Sequence, residues 1–127
     1  MNVLDENIIS SQRQELQRGR IPFRQIGYEL ADQGAKDREI IPLLLQLKQP
    51  TFFTRDFDFY DRALCHSRYC LAWLNVRPDD AAVFIRRFLR HPEFATHYLR
   101  LGRVVRIHPQ GVDAWERGQR QVKQLHW

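Results

Sequence analysis

Thr51-Phe52-Phe53-Thr54-Arg55-Asp56-Phe57-Asp58-Phe59-Tyr60-Asp61-Arg62 is an apolar β-type run that breaks off at a charged knot. The run Thr51–Thr54 reads as a strand, and the knot behind it carries Asp56, Asp58 and Asp61. In an α/β sheet, chemistry sits just beyond the carboxyl ends of the strands. A strand that delivers Asp56 to that rim is suited to holding a divalent cation, since carboxylates are hard oxygen ligands for Mg²⁺ or Mn²⁺. The competing reading is a plain turn, because Asp tolerates turn geometry where strands end.

Working outward, Asn2–Leu4 reads as a first buried strand ending at Asp5, with Glu6 and Asn7 behind it. Residues 8–18 read as a helix stopped by Gly19, and residues 22–26 as a second strand. Residues 27–36 are loop-like. Asp37 is the expected N-cap of a helix in which Ile40, Leu43, Leu44 and Leu47 share a face. Pro42 sits awkwardly in it, and Pro50 ends it. Residues 56–65 read as a short turn or helix, and residues 69–76 as an almost continuously apolar fourth strand covered on both faces.

Ala81–Arg90 is the cleanest amphipathic segment. Ala81, Ala82, Phe84, Ile85, Phe88 and Leu89 share one face, and Arg86, Arg87 and Arg90 the other, a basic stripe that reads first as a solvated helix face and second as a phosphate contact. After His91-Pro92 comes a turn or two of helix at 94–99, a fifth strand at 103–107, and a loop at 108–111. Residues 112–127 are expected to be a final helix or a loosely docked tail. Strands alternating with helices imply βαβ units. The expected product is one domain over residues 1–127, an α/β three-layer sandwich with a mainly parallel five-stranded sheet.

The chain has 127 residues, 43% hydrophobic and 28% charged, as in an ordinary globular protein. No apolar run approaches the ~20 residues that span a bilayer, so no membrane association is expected. The N-terminus lacks the basic and apolar regions of a secretory signal. Cytoplasmic residence follows as the expectation. Cys65 and Cys70, with only His66 beside them, do not make the four-ligand set of a closed zinc site, and are expected to be reduced structural thiols. His66, His91, His97 and His108 have no obvious carboxylate partner and are read as structural.

The net charge of +5 rests on seventeen Arg against three Lys. Arg presents a planar fork that grips phosphate, so an Arg-rich chain with an acidic centre suits a polyanion such as RNA.

Three acidic positions compete for one rim: Asp5 after strand one, Asp56 and Asp58 after strand three, and Asp37 or Glu39 at the start of the intervening helix. That start is expected on the opposite rim unless residues 27–36 carry the chain over. Clustered carboxylates repel one another and usually hold a cation. One or two Mg²⁺ ions there would polarise a phosphodiester and activate water.

The order of Asp5-Glu6-Asn7, then Asp37-Arg38-Glu39-Ile40 before a Leu-rich helix, then Thr54-Arg55-Asp56-Phe57-Asp58-Phe59 after a strand resembles the compact PIN-like proteins. These are the predicted nucleases of VapC-type toxin–antitoxin systems. The resemblance runs from Asn2 to about Ile107. It implies a PIN-like fold and Mg²⁺- or Mn²⁺-dependent ribonuclease activity, with Asp5, Asp37 or Glu39, and Asp56 facing the metal. Asp58 takes a fourth role or leaves it vacant. It also implies a small antitoxin protein encoded nearby and, as a further partner, a second copy of the chain. Asn7, which could also cap the first helix, joins Thr54, Arg55, Arg62, Arg86, Arg87 and Arg90 as the expected substrate-binding set. Phe57, Phe59 and Tyr60 are candidates for stacking bases, with core packing the better expectation for at least two. The chief rival reading is a catalytically silent PIN-like module that binds RNA or a protein, and a third is a metal-dependent DNA nuclease or phosphatase on the same scaffold.

Overall fold

The computed structural model describes residues 1–127. Seven strands form one mixed sheet: β1 (Asn2–Leu4), β2 (Arg24–Gln25), β3 (Thr51–Thr54), β4 (Cys70–Leu74), β5 (Arg103–His108), β6 (Gly111–Glu116) and β7 (Lys123–His126). Their order is β2-β1-β3-β4-β5-β6-β7. The first five run parallel, and β6 and β7 add antiparallel. Four α-helices complete the architecture: α1 (Ser10–Arg18), α2 (Asp37–Gln46), α3 (Ala81–Arg90) and α4 (His97–Arg100).

Period-two alternation assigns the two faces. Leu4, Phe53, Ala72 and Val105 point into one core with residues of α1 and α3. Val3, Phe52, Leu71 and Val104 point into the other with Ile40 and Leu44 of α2. Neighbouring side chains on a strand thus serve opposite layers. That explains why β3 and β4 read as continuous apolar runs, and why helices cover both faces.

The expected α/β class stands, but the sheet is mixed and larger than the five mainly parallel strands anticipated. The difference lies at the C-terminus. Residues 112–127 are neither a helix nor a tail. Val112, Ala114 and Leu125 alternate with polar residues, and they form the β6–β7 extension, packing on the α1/α3 core. The loop at 108–111 is a tight hairpin turn, closed where Gly111 lets the β7 backbone approach. A Cβ at Gly111 would lie 1.9 Å from the Leu125 carbonyl oxygen. Strand β2 shrinks to two residues at the sheet edge, and Pro22 and Phe23 lie outside it.

Two helix starts also differ from expectation. Lys36 occupies the N-cap of α2 without a side-chain cap, and Asp37 is the first helical residue. Pro42 lies inside α2 and is exposed, so the backbone bond it removes falls on the solvent side. Asn7 does not cap α1, whose N-cap is Ile9. Its side chain is engaged across the sheet edge instead.

No helix is long and apolar enough to cross a membrane. Cys65 and Cys70 are free thiols, and burial pushes the Cys70 thiol up to about 12.

Gln25 ties the edge of the sheet to the rim. It is 0% exposed, and its amide donates to the Asp5 and Ile8 carbonyls at 3.0 and 2.9 Å while accepting from Arg13 at 3.0 Å. Each buried group left without a partner costs about 1–3 kcal/mol. Gln25→Leu is therefore expected to lower unfolding free energy by about 2–3 kcal/mol in urea titration, against a change near zero for the exposed Gln46→Leu.

Candidate metal centre

The carboxyl ends of β1 and β3 are adjacent, with Leu4 paired to Phe53. Asp5 and Asp56 therefore emerge side by side. Thr54 joins them: its hydroxyl donates to Asp5 Oδ2 at 2.6 Å and accepts from the Asp56 N–H at 3.0 Å. The Glu6 N–H donates to Asp5 Oδ1 at 2.7 Å, which fixes the carboxylate plane. Asn7 closes the same edge, accepting from the Arg55 N–H at 3.2 Å and donating to Thr54 Oγ1 at 3.4 Å.

Behind Thr54 the chain enters two 3-10 turns, Phe57–Phe59 and Arg62–Leu64. Asp56 caps the first by accepting from the Asp58 N–H at 2.9 Å, and Asp61 caps the second by accepting from the Ala63 N–H at 2.9 Å. The turn reading of Asp56 thus holds, and the cap occupies one of its two carboxylate oxygens. Asp61 is a turn cap.

The third segment is α2. A crossover helix runs back against the direction of its strands, so its N-terminus lies at the carboxyl rim. The expectation of the opposite rim is corrected on that ground. Residues 27–36 are anchored rather than thrown over the top. Leu30 is buried, the Gly34 N–H donates to Glu6 Oε2 at 2.8 Å, and Arg13 pairs with Glu29 at 2.5 Å. The Arg13 guanidinium holds the Glu29 carboxyl down to about 2.

Asp37, Asp56 and Asp58 consequently converge, with one carboxylate oxygen of each within 4.8 Å of the others. Asp5 stands close enough for its charge to act on Asp37 and for the Asp56 charge to act on it. Glu39 is outside the group. Two residues past Asp37 on a helix it points some 200° away. Of the two acids at that helix start, Asp37 is the one the fold delivers.

None of the six ion pairs in the structure reaches Asp5, Asp37, Asp56 or Asp58. In a chain with 20 basic residues, these four acids are left outside every ion pair. Partial burial first, then the neighbouring Asp56 carboxylate, push the Asp37 carboxyl above its ordinary value of 3.8. Burial also raises Asp5, against the opposing hydrogen bonds from Thr54 and Glu6. All the oxygens are hard donors, and this donor chemistry fits Mg²⁺ or Mn²⁺.

A folded-state pKa above the unfolded value means stability that is present below the unfolded value and lost as pH rises through the folded one. The cation-free protein is therefore expected to lose stability at the rim as pH climbs from about 3.8. A divalent cation reverses this by binding only the folded carboxylates. In scanning calorimetry, Mn²⁺ should raise Tm more at neutral pH than at about pH 4. Asp37→Asn should raise the cation-free Tm and shrink the Mn²⁺ increment. An increment independent of pH and of Asp37 would contradict this origin.

The arginines divide differently from expectation. Arg86, Arg87 and Arg90 belong to α3, which packs on the face opposite α2, so the fold does not bring them to the acids. Arg86 reaches the end of α1 at Gly19, and Arg87 lies over the Phe84 ring, with the guanidinium carbon 5.2 Å from the ring centre. Arg62 lies over Trp115 at 5.6 Å. Arg55 is half-buried beside the rim, its Nε without a partner.

Strand alternation instead sets a row of other residues on the face that Thr54 shares. Thr54 pairs with Trp73, Trp73 with Arg106, and Arg106 with Asp113. These four share the α2 face, two residues beyond Phe52, Leu71 and Val104. Arg106 pairs with Asp113 at 3.0 Å and lies 5.9 Å from the Trp73 ring centre. His108, expected to lack a carboxylate, lies 3.4 Å from Asp113. Trp73 and Arg106 were legible as the next same-face positions after Leu71 and Val104, once the register of the sheet is known.

Among known proteins the chain matches no family model, no curated protein and no solved structure.

Proposed function

We propose that the chain is a divalent-cation-dependent endoribonuclease of PIN-like type, the toxin half of a two-component toxin–antitoxin pair. The observation that carries this reading is the gathering of three carboxylates, Asp37, Asp56 and Asp58, with Asp5 beside them, from three separated segments at one rim, none of them in an ion pair. A cluster of that kind repels itself and favours a divalent cation. The ordered residue motifs quoted above and the excess of Arg favour RNA as substrate.

Asp56, Asp37 and Asp58 would hold Mg²⁺ or Mn²⁺, with Asp5 beside them. The cation would supply charge neutralisation at the phosphodiester and activation of water. The protein's own contribution is positional. The Thr54 hydroxyl and the Glu6 amide hold Asp5 in one orientation. The Asp58 amide holds Asp56 Oδ1, and Asn7 fixes the Arg55 backbone at the rim. Arg55 is the basic side chain best placed to meet phosphate there.

A small antitoxin would silence such a rim by inserting an Arg or Lys, since a guanidinium binds a carboxylate through two parallel hydrogen bonds. The first test is cleavage of single-stranded RNA by the wild-type chain. Cleavage with Mg²⁺ or Mn²⁺ and none with chelator supports the proposal. Growth arrest on expression of the chain alone, relieved by the neighbouring gene and by Asp5→Asn, supports the toxin role. A wild-type chain that binds RNA but cleaves none with either cation would favour the silent module.

A further inference from the structure

Phe57 stands between Asp56 and Asp58, two of the converging acids, and is 61% exposed. Its neighbours in the same turn are committed elsewhere. Phe59 is buried edge-on against Phe52, with ring centres 5.2 Å apart. Tyr60 lies half-buried on Trp73 at 5.5 Å. Of the three aromatic residues of this turn, only Phe57 presents its ring to solvent.

The ring is also held in place. The Tyr60 N–H donates to the Phe57 carbonyl at 2.8 Å, and the flanking Asp58 N–H is tied to Asp56 Oδ1. Trp73 meets the Phe57 ring edge-on at 5.0 Å and 72°. Behind Trp73 lies Arg106, itself paired with Asp113. An aromatic edge contact of this kind fixes one side of a ring and leaves a face free.

We infer that Phe57 is a positioning residue that stacks an unpaired nucleobase of the substrate strand next to the phosphate held at the acidic rim. The inference rests on the nucleic-acid reading of that rim and adds to it the element that sets the strand's register. A carboxylate cluster repels a phosphodiester except through a cation, so it cannot by itself choose where along a strand the phosphate lies. A base pinned on a fixed ring one residue from Asp56 and from Asp58 makes that choice. Stacking is sequence-tolerant, because every base has a π-face. The occupant is an extruded single-stranded base, since bases inside an A-form duplex are not free to stack on a side chain.

The test is affinity for a short, labelled single-stranded RNA, read by anisotropy with Ca²⁺ in place of Mg²⁺, and repeated with an abasic site at each position in turn. Wild type should bind. Phe57→Ala should weaken binding about tenfold, Phe57→Trp should restore it, and Phe57→Leu should not, although it keeps apolar contact with Trp73. One abasic position should cost the wild type about the same factor and cost Phe57→Ala nothing, because the two changes remove one interaction. Equal affinity for Phe57→Leu and wild type overturns the inference. So does an abasic profile that is the same in both proteins, or no binding by the wild type. Cleavage with Mg²⁺ or Mn²⁺, measured on the same preparation, separates the two claims. Cleavage with a flat abasic profile sinks the stacking role alone. A Phe57-dependent profile without cleavage sinks the nuclease reading and keeps the stacking surface.

Discussion

Asp56→Asn is expected to reduce RNA cleavage at least about a hundredfold, since even partners outside the ligand sphere cost 10–100-fold when lost. Asp56 has three jobs at one point. One oxygen caps the 3-10 turn, the carboxylate faces Asp37 and Asp58, and its charge acts on Asp5. Asn keeps an oxygen for the Asp58 N–H, so the turn survives. It removes the negative charge that a cation needs. The variant should therefore fold normally and fail in chemistry, with unchanged far-ultraviolet circular dichroism. In the cation-free state it should melt slightly higher than wild type, because the repulsion that raises Asp37 is relieved. A folded Asp56→Asn protein that retains wild-type turnover would remove Asp56 from the site.

Phe53→Ala should cost about 3–5 kcal/mol in urea titration, the usual range for an aromatic deleted from a packed core. Phe53 is 0% exposed and sits at the centre of the sheet, between Leu4 on β1 and Ala72 on β4. Its ring meets Phe88 of α3 at 5.8 Å and 86°. Small Ala72 and Ala82 line the same core and cannot swell to fill a cavity. The Asp5 N–H donates to the Phe53 carbonyl at 2.8 Å, a backbone bond that the substitution retains. A cost near zero would mean that the two-core packing is misplaced.

Strand β3 and its acids were legible because an unbroken apolar run ending in charge has few other readings. Helix α3 was legible from its opposed faces, and its bounds match Ala81–Arg90. The C-terminal hairpin was not. Residues 112–127 mix Trp, Arg, Gln and Lys, and strand formation there is decided by the edge that β5 offers. Local sequence does not contain that edge. The site divides in the same way. Asp5 and Asp56 followed from strand ends, whereas the choice of Asp37 over Glu39 needed the rotation of α2. Asn7 looked like a helix cap, yet its oxygen holds the Arg55 amide, 48 residues away in the chain. Charge alone marks the arginines of α3 as phosphate contacts, and the layer they occupy separates them from the acids. Nothing local to Trp73 or Arg106 marks them, because a same-face row across four strands exists only after pairing.

Mn²⁺ binding followed by isothermal titration calorimetry at neutral pH tests the convergence of the carboxylates most directly. The wild-type chain should release or take up heat that saturates, Asp37→Asn and Asp56→Asn should each abolish or strongly weaken it, and Glu39→Gln should leave it intact. No saturable binding by the wild type, or equal affinity in Asp37→Asn, Asp56→Asn and Glu39→Gln, would contradict a metal centre at this rim.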